Sequence, residues 1–501
     1  MCPECDAASA SRARLPSDSP HNQPAKADGT EFEMSGTTHP SSEREPPEQA
    51  LARAQVAAQL KRFGEAAGIC SDVLAIDPEH PSALALLGIV YAHQGRVDHA
   101  IEMLERAVTY HAGVAAWHAN LCSLYRLANR TQDALSAGQE AVRLAPDSAD
   151  NLVNLSLVLS DLDDRERALA CLLRALGLND SHADAHLAMA QNLLAQGELD
   201  SGWIEYEWRN QTEAGRGQLP KITSAPWTGI CVPGGKVLLI GDQGYGDTIQ
   251  FARYIPMVAR RFDEVLLGCS AELAPLLARI PGVSRSFHRW NEIPGHAAYC
   301  RLSSLAWIFR TTLDTIPNQV PYLTPDPARV SCWKDWLNAT PLQGAYRVGL
   351  AWGGRPTHPN DRRRSIRLAR LAPIAAIEGV RFISLQKPMV QADAEAVQLF
   401  PGMSDLSVEL RDFDDTAALI ANLDLVLTVD TSVGHLSGAL GKPTWIMVPK
   451  ASDWRWLLGR SDSPWYPTVR LFRQATPGGW EDVIDEVATA LRVCVRDKHE
   501  R

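Results

Sequence analysis

A period of 34 residues constrains this chain more than any other feature. Ala66, Ala100, Ala134, Ala168 and Gly202 fall at successive steps of 34. Leu87, Leu121, Leu155 and Met189 keep the same step, as do Ala107, Ala141 and Ala175, while Pro78 and Pro146 stand two steps apart. Each unit holds two amphipathic helical stretches joined by a polar turn, as at Gln94-Gly95-Arg96. A small residue recurring in phase marks a place where two helices approach closely. One such unit cannot bury its apolar face alone, so the units stack into an all-α solenoid with a concave face. Four units and a partial fifth fit between residues 47 and 210, with the array's end placed at 216. The run Gly202 to Arg209 carries aromatics that cap the last unit.

The spacing resembles the tetratricopeptide repeat. Its concave face is open to two readings, a surface for a protein partner or a brace for the next domain. Residues 1–46 are rich in Ser, Pro, Glu and Ala and are expected to be a disordered tail. Cys2 and Cys5 form a C-x-x-C with no second pair and no nearby His, so no metal site is expected there. The first residues have no apolar core, so no secretory signal is expected. No apolar run approaches the ~20 residues of a membrane span. Ten cysteines, mostly inside apolar runs, suit a reducing cytoplasm. A net charge of −10 argues against a protein that coats nucleic acid.

After a Gly-, Pro- and Thr-rich linker, Gln211 to Gly235, the period changes. Strands and helices alternate from Lys236: a strand at Val237–Ile240, a helical pattern to Val258, a strand at Glu264–Gly268 and a helix at Ala271–Arg279. Residues 281–321 resist assignment. Residues 317–344 read as a proline-rich crossing around one helix, Ser331–Leu337. A second alternating run has strands at Val348–Trp352, Arg381–Gln386, Ser407–Leu410, Leu425–Asp430, Thr444–Val448 and Val469–Phe472, and a terminal helix at Trp480–Val495. Such alternation predicts two parallel-sheet domains, at 234–322 and 345–495, facing each other across a cleft.

Four segments could carry chemistry. Gly241 to Thr248 follows a strand and opens a helix; Gly244 and Gly246 let backbone approach a ligand, and Asp247 either caps the helix, as Thr248 could, or points into the cleft as a general base. Residues 353–366 hold Arg355, Arg362, Arg363 and Arg364 at a strand end beside two glycines, a pattern suited to phosphate oxygens. Gln386 and Lys387 end the next strand and could add an amide and a cation. Asp430, Thr431, Ser432, Gly434 and His435 turn a buried strand into a helix, where small hydroxyls, backbone N–H groups and the positive helix end favour an anion; the plainer reading is a helix capped by Asp430 or Thr431. Asp453 to Leu457, with Ser463 to Pro467, sets aromatics beside arginine, which could stack on a sugar or base, or plug the hinge between domains.

Taken together these segments resemble glycosyltransferase family 9, which includes the bacterial heptosyltransferases, in its form fused to tetratricopeptide repeats. The matching strings are Gly241 to Tyr254 (GDQGYGDTIQFARY), Gly349 to Gly353 (GLAWG), Asn360 to Ile366 (NDRRRSI), Asp412 to Asn422 (DFDDTAALIAN), Asp430 to His435 (DTSVGH) and Asp453 to Leu457 (DWRWL). The layout also looks like that of the protein O-linked N-acetylglucosamine transferases. The resemblance implies a GT-B architecture and inverting, metal-independent sugar transfer from a nucleotide donor, with no cofactor. It implies that Asp247 is the base, that Asp430 meets sugar hydroxyls, that Thr431, Ser432 and Gly434 line the pyrophosphate turn with His435 beside them, and that Arg364 stands where the family has a phosphate-binding lysine. The partners implied are a nucleotide-sugar donor and a protein or glycan acceptor. A leaving nucleoside diphosphate gains charge that helix ends and arginines can stabilise. Two other readings stay open: an inert repeat scaffold, and a nucleotide-sugar epimerase of the same architecture.

Overall fold

A computed structural model of the chain describes residues 45–217, 219–230, 235–242, 244–339, 345–358, 360–389 and 391–500. The Cys2/Cys5 pair and nearly all of the expected tail lie outside them.

Ten helices form five antiparallel pairs: Pro47–Gln59 with Phe63–Ile76, Pro81–His93 with Val97–Tyr110, Ala115–Leu127 with Thr131–Leu144, Ala149–Asp161 with Arg165–Leu178, and Ala183–Gln196 with Leu199–Tyr206. Ala66, Ala100, Ala134 and Ala168 are wholly buried at the contacts between paired helices. At Gly202 a β-carbon would sit 2.6 Å from Leu194, so only hydrogen fits. The tight turns inside the pairs share a second signature. Lys61, Gly95, Asn129, Asp163 and Gly197, again 34 apart, all have left-handed backbone, with φ between 60° and 87°. Three of the five are not glycine and hold that conformation against its steric cost.

The rest of the chain builds two all-parallel sheets. The strands are Ala225–Pro226 (β1), Lys236–Ile240 (β2), Glu264–Gly268 (β3), Val283–Phe287 (β4), Ala298–Arg301 (β5), Tyr346–Ala351 (β6), Val380–Ser384 (β7), Leu425–Val429 (β8), Thr444–Val448 (β9) and Val469–Arg473 (β10). The first sheet runs β1-β5-β2-β3-β4 and the second β10-β9-β8-β6-β7. In the first the chain steps outward from β2 and then returns to its other side; in the second it does the same about β6. Order therefore reverses between β2 and β5, and between β6 and β8, and such switch points open a crevice at the carboxyl ends of the strands.

Several sequence expectations change. Ser407–Leu410 is a turn, not a strand; Leu410 is buried but Val408 is 84% exposed, so the apparent alternation has no sheet face to serve. Part of the linker is packed: Ala225 and Pro226 pair with Ala298 and Tyr299 at a sheet edge, where proline's missing N–H costs nothing, and Trp227 is buried behind them. The unassigned stretch supplies β4 and β5. The helix expected at 271–279 shrinks to Ala274–Leu277, the one at 331–337 extends to Pro327–Ala339, and the terminal helix reaches His499.

One apolar core runs from the last repeat pair (Leu194, Trp203) through both sheets' facing helices (Tyr254, Leu436) to Trp456 and Trp465. Trp203 donates its indole N–H to the Thr311 carbonyl at 2.9 Å and packs edge-on against Trp454, with centroids 5.3 Å apart. The array is thus fused to the α/β half at its last repeat.

Candidate functional site

After β2 the chain turns through Gly241 and Asp242 into the helix Tyr245–Phe251. Asp242 accepts from the Ser303 N–H at 3.0 Å and its hydroxyl at 2.6 Å, which closes the switch point beside β5. Gly244 occupies the N-cap position and no side chain caps this helix. Thr248 instead donates to the Asp242 carbonyl at 2.9 Å. Asp247 lies over Gly244, so closely that any β-carbon there would collide with its Oδ2. Its Oδ1 accepts from Arg455 of the second sheet's domain.

After β8 the chain enters the helix Ser432–Ala439 through Thr431 at the N-cap. Neither Asp430 nor Thr431 caps it by side chain; Thr431 shares a hydroxyl hydrogen bond with Thr428 at 3.0 Å. Gly434 faces inward, where a β-carbon would sit 3.0 Å from Ile446 of β9. His435 is buried, stacked on Trp456 with centroids 5.2 Å apart, and its Nδ1 pairs with the Tyr466 hydroxyl at 2.9 Å. Burial, with Arg455 beside it, drives the imidazole down to about 3, so it is neutral near pH 7. Its other edge meets the first sheet's helix: a β-carbon on Gly246 would be 2.8 Å from His435 Cδ2. Asp247 and the 430–435 turn therefore meet at one junction, with the two glycine-bearing helices in contact.

Charge concentrates at this junction. Arg455, 8% exposed, binds Asp247, donates to Asp453 at 2.8 Å and to Gln250 Oε1 at 2.7 Å, and lies 4.1 Å from the Trp454 ring centroid. Burial opposes its charge, but Asp247 and Asp453 outweigh that and keep it a cation. Asp430 is less well compensated. Burial, and then the Asp453 charge, push its carboxyl up to about 6, while Arg364 pulls the other way. Asp453 is held below the usual range, because Arg455 overrides the burial. Two donors around this point are buried without a hydrogen-bond partner: Gln250 Nε2, and Arg364 Nε, which lies 3.7 Å from Asp361 Oδ1, beyond hydrogen-bond reach. Buried donors left unpaired cost about 1–3 kcal/mol each, so a group that accepts from them is favoured here. Among the described residues no cluster of three or more His, Cys, Asp or Glu is arranged to hold a metal ion, and no helix is long and apolar enough to cross a membrane.

A family model described as tetratricopeptide repeat matches residues 57–121, and another of the same description matches 149–182. Protein FlbA of Caulobacter vibrioides is 30% identical over 433 residues, covering 79% of this chain and 70% of its own. The chain belongs to the FlbA family. Among solved structures, MamA is 21% identical and covers 33% of this chain and 96% of its own with a TM-score of 0.29. A thermophilic TPR protein of Thermus thermophilus is 24% identical, covering 34% of this chain and 92% of its own with a TM-score of 0.30.

In this member of the FlbA family not every residue singled out from sequence reaches the junction. Asp247, Asp430, Thr431, Ser432, His435 and Arg364 gather there, and Gly244 and Gly246 shape it; Gly434 packs onto β9 instead. Arg355 remains at its edge, 5.9 Å from the Tyr245 ring centroid. Gln386 is committed elsewhere: its Oε1 accepts from the Trp352 and Gly353 N–H groups at 3.1 and 3.0 Å, and its Nε2 donates to the Gly353 carbonyl at 3.1 Å. It holds the loop after β6. Lys387 turns outward and donates to the Leu410 and Arg411 carbonyls. Arg362 faces Asp98 of the repeats at 3.8 Å, away from the junction. Successive residues on a helical turn point about 100° apart, so three adjacent arginines cannot share one target.

The central cation, Arg455, and its partner Asp453 escape a sequence reading as charges, because the aromatics of that string dominate it. The Asp-x-Arg spacing holds the signal, since Asp453 caps the 3-10 turn by accepting from the Arg455 N–H at 3.0 Å. Trp454 and Trp465 pack edge-on against Trp203 of the last repeat, whereas Trp456 stacks on His435. His358 also feels Asp453 and Asp247, and burial with Arg364 lowers its pKa. A cavity of about 310 Å³, lined by Trp203, Ile204, Trp307 and Arg310, includes none of the junction's residues in its lining.

Proposed function

We propose that this chain is an inverting glycosyltransferase of GT-B type that takes a sugar from a nucleotide-diphosphate donor without a metal ion. The observation that carries the reading is the convergence of Asp247, from the first sheet, with Asp430, His435 and Arg364, from the second. In this scheme Asp247 removes the proton from an acceptor hydroxyl. The oxygen attacks the anomeric carbon, and the bond from that carbon to the diphosphate breaks on the opposite face. Arg364 and the amino end of Ser432–Ala439 meet the charge that grows on the leaving group. Asp430 accepts from sugar hydroxyls, and neutral His435 backs the turn. The acceptor is a protein or a glycan, with the repeats as its landing surface or as a site for a protein partner.

Asp247 is tied to Arg455, so substrate entry must part this ion pair, and opening of the junction is a step of the cycle. The test is turnover with a panel of nucleotide sugars and cell-derived acceptors, comparing wild type with Asp247→Asn. The expected result is loss of transfer with donor binding retained; undiminished transfer by Asp247→Asn removes the base from the scheme. The same closed ion pair favours a second reading, an inert scaffold, and absence of turnover and of nucleotide binding in the wild type would select it. Epimerised sugar from donor alone would select the third.

A further inference from the structure

The segment Asp361–Arg364 is a single helical turn that faces two ways. Arg364 looks inward; its guanidinium lies against Gly354, where a β-carbon would be 2.6 Å from Nη2, and its charge bears on Asp430. Arg363 points the other way, into the repeat array. Its Nη1 lies 2.6 Å from Asp161 Oδ2 and its Nη2 donates to the Arg126 carbonyl at 2.6 Å. Asp161 also accepts from Arg126 Nε at 2.6 Å, so one carboxylate holds two guanidinium groups. The side chains of Arg363 and Asp161 are only 8% and 10% exposed. Weaker pairs flank them, Lys450 with Asp163 and Arg362 with Asp98, both at 3.8 Å. The cavity left between array and loop, about 20 Å³, has room for roughly one water.

We infer that Arg363 is a positioning residue: by fastening this turn to the repeats it fixes where Arg364 presents its charge, and the array thereby forms part of the anion site. The inference rests on the reading of the junction as a diphosphate site. Its mechanical basis is short-range. Arg363 and Arg364 are neighbours on one turn, whose backbone is closed by the Ser365 hydroxyl, which accepts from the Gly354 N–H at 2.9 Å and donates to Asp361 at 2.8 Å. A turn closed in this way moves as a unit, so releasing one arginine re-aims the other. Misplacement of a binding group by ~1 Å is enough to cost ~100-fold in a pre-organised site.

The test uses the full chain with inorganic pyrophosphate as probe, by titration calorimetry, and amide exchange across residues 352–366 in the absence of ligand. Arg363→Met is expected to weaken pyrophosphate binding on the order of tenfold and to speed exchange in 352–366 alone. Arg363→Lys should restore part of both, since it keeps the charge opposite Asp161 and loses the bond to Arg126. On an Arg364→Ala background, Arg363→Met should change affinity no further, an outcome that a general loss of stability would not produce. Asp161→Asn breaks the same anchor from the array side, should Arg363→Met fold poorly. Wild-type affinity and wild-type exchange in Arg363→Met, with binding lost in Arg364→Ala, would overturn the anchor and leave the diphosphate reading standing. A wild type that does not bind pyrophosphate overturns both.

Discussion

Replacing Asp430 by Asn should make the protein more stable and less capable at once. The carboxyl is buried, faces Asp453, and is raised from its ordinary value of 3.8 to about 6. A raised pKa means that the folded state holds the proton more tightly than the unfolded chain. Asp430 is therefore neutral and harmless below pH 3.8, and its ionisation penalty grows between there and pH 6, reaching at most about 3 kcal/mol above that. His435 works in the other direction. Its folded value of about 3 lies below the ordinary 6.5, so the stability it confers is present above pH 6.5 and is lost as pH falls towards 3. In the wild type the two slopes oppose each other between pH 4 and 6. The Asn variant keeps the volume and drops the charge, so the histidine slope stands alone. The assay is urea denaturation of both proteins across pH 3.5–8, followed by tryptophan fluorescence and compared as midpoints, because a chain of several folded units need not unfold in two states. The variant is expected to match the wild type near pH 3.5 and to exceed it by about 1–3 kcal/mol at pH 7–8, while losing donor binding. A variant less stable than wild type at pH 8, or a stability difference that does not change with pH, would refute the proposed burial of a carboxylate whose charge is only partly compensated. Gain of stability on removal of a side chain is the signature of a group retained for function.

Other substitutions separate shape from chemistry. Gly246→Ala places a methyl group against His435, which is stacked and hydrogen-bonded and cannot yield; it should cost about 1–3 kcal/mol by denaturation, and an unchanged midpoint would show that the two helices do not meet as described. Gly244→Ala is different, since the backbone there has φ −81° and only the flexible end of Asp247 is in the way. Moving that carboxylate loosens its pair with the buried Arg455, so stability should fall by about 1–3 kcal/mol and turnover with it; retained turnover would exclude Asp247 as the base. Gln386→Ala should destabilise by about 2–3 kcal/mol through the N–H groups it leaves unpaired, whereas exposed Lys387→Ala should alter neither the denaturation midpoint nor pyrophosphate affinity. Lys61→Gly, at φ 60° in the first repeat turn, should raise the melting temperature by relief of up to about 1 kcal/mol; a lower melting temperature would contradict the strained turn.

The parts legible in sequence are those where one physical demand acts on many residues. Helix pairing every 34 residues demands a small side chain at Ala66 and each of its successors, and the demand repeats until it cannot be missed. Strands buried on both faces, such as Leu425–Val429 and Thr444–Val448, are continuous apolar runs that sequence locates to within a residue. The edge strands of the first sheet are not legible in this way: β1 has two residues, and β4 sets Ser284, Arg285 and Ser286 between Val283 and Phe287, so each resembles a loop. At the junction, the glycine turn and the 430–435 turn are legible because they need small residues at fixed offsets. The destinations of the arginines are not. Arg362, Arg363 and Arg364 are chemically identical and adjacent, and only the packing of a distant repeat decides that Arg363 serves Asp161 while Arg364 serves the junction. The role of Arg455 is hidden for a related reason, because its pair with Asp247 spans two domains and has no local period to betray it.

Whether a diphosphate binds at the junction is decided by titration calorimetry of the full chain with a panel of nucleoside diphosphates, repeated on Arg364→Ala. At least one nucleoside diphosphate should bind at one site per chain and lose most of its affinity in the variant. Binding by none of them, or binding that Arg364→Ala leaves intact, would contradict the placement of a diphosphate where Asp247, Asp430 and Arg364 converge.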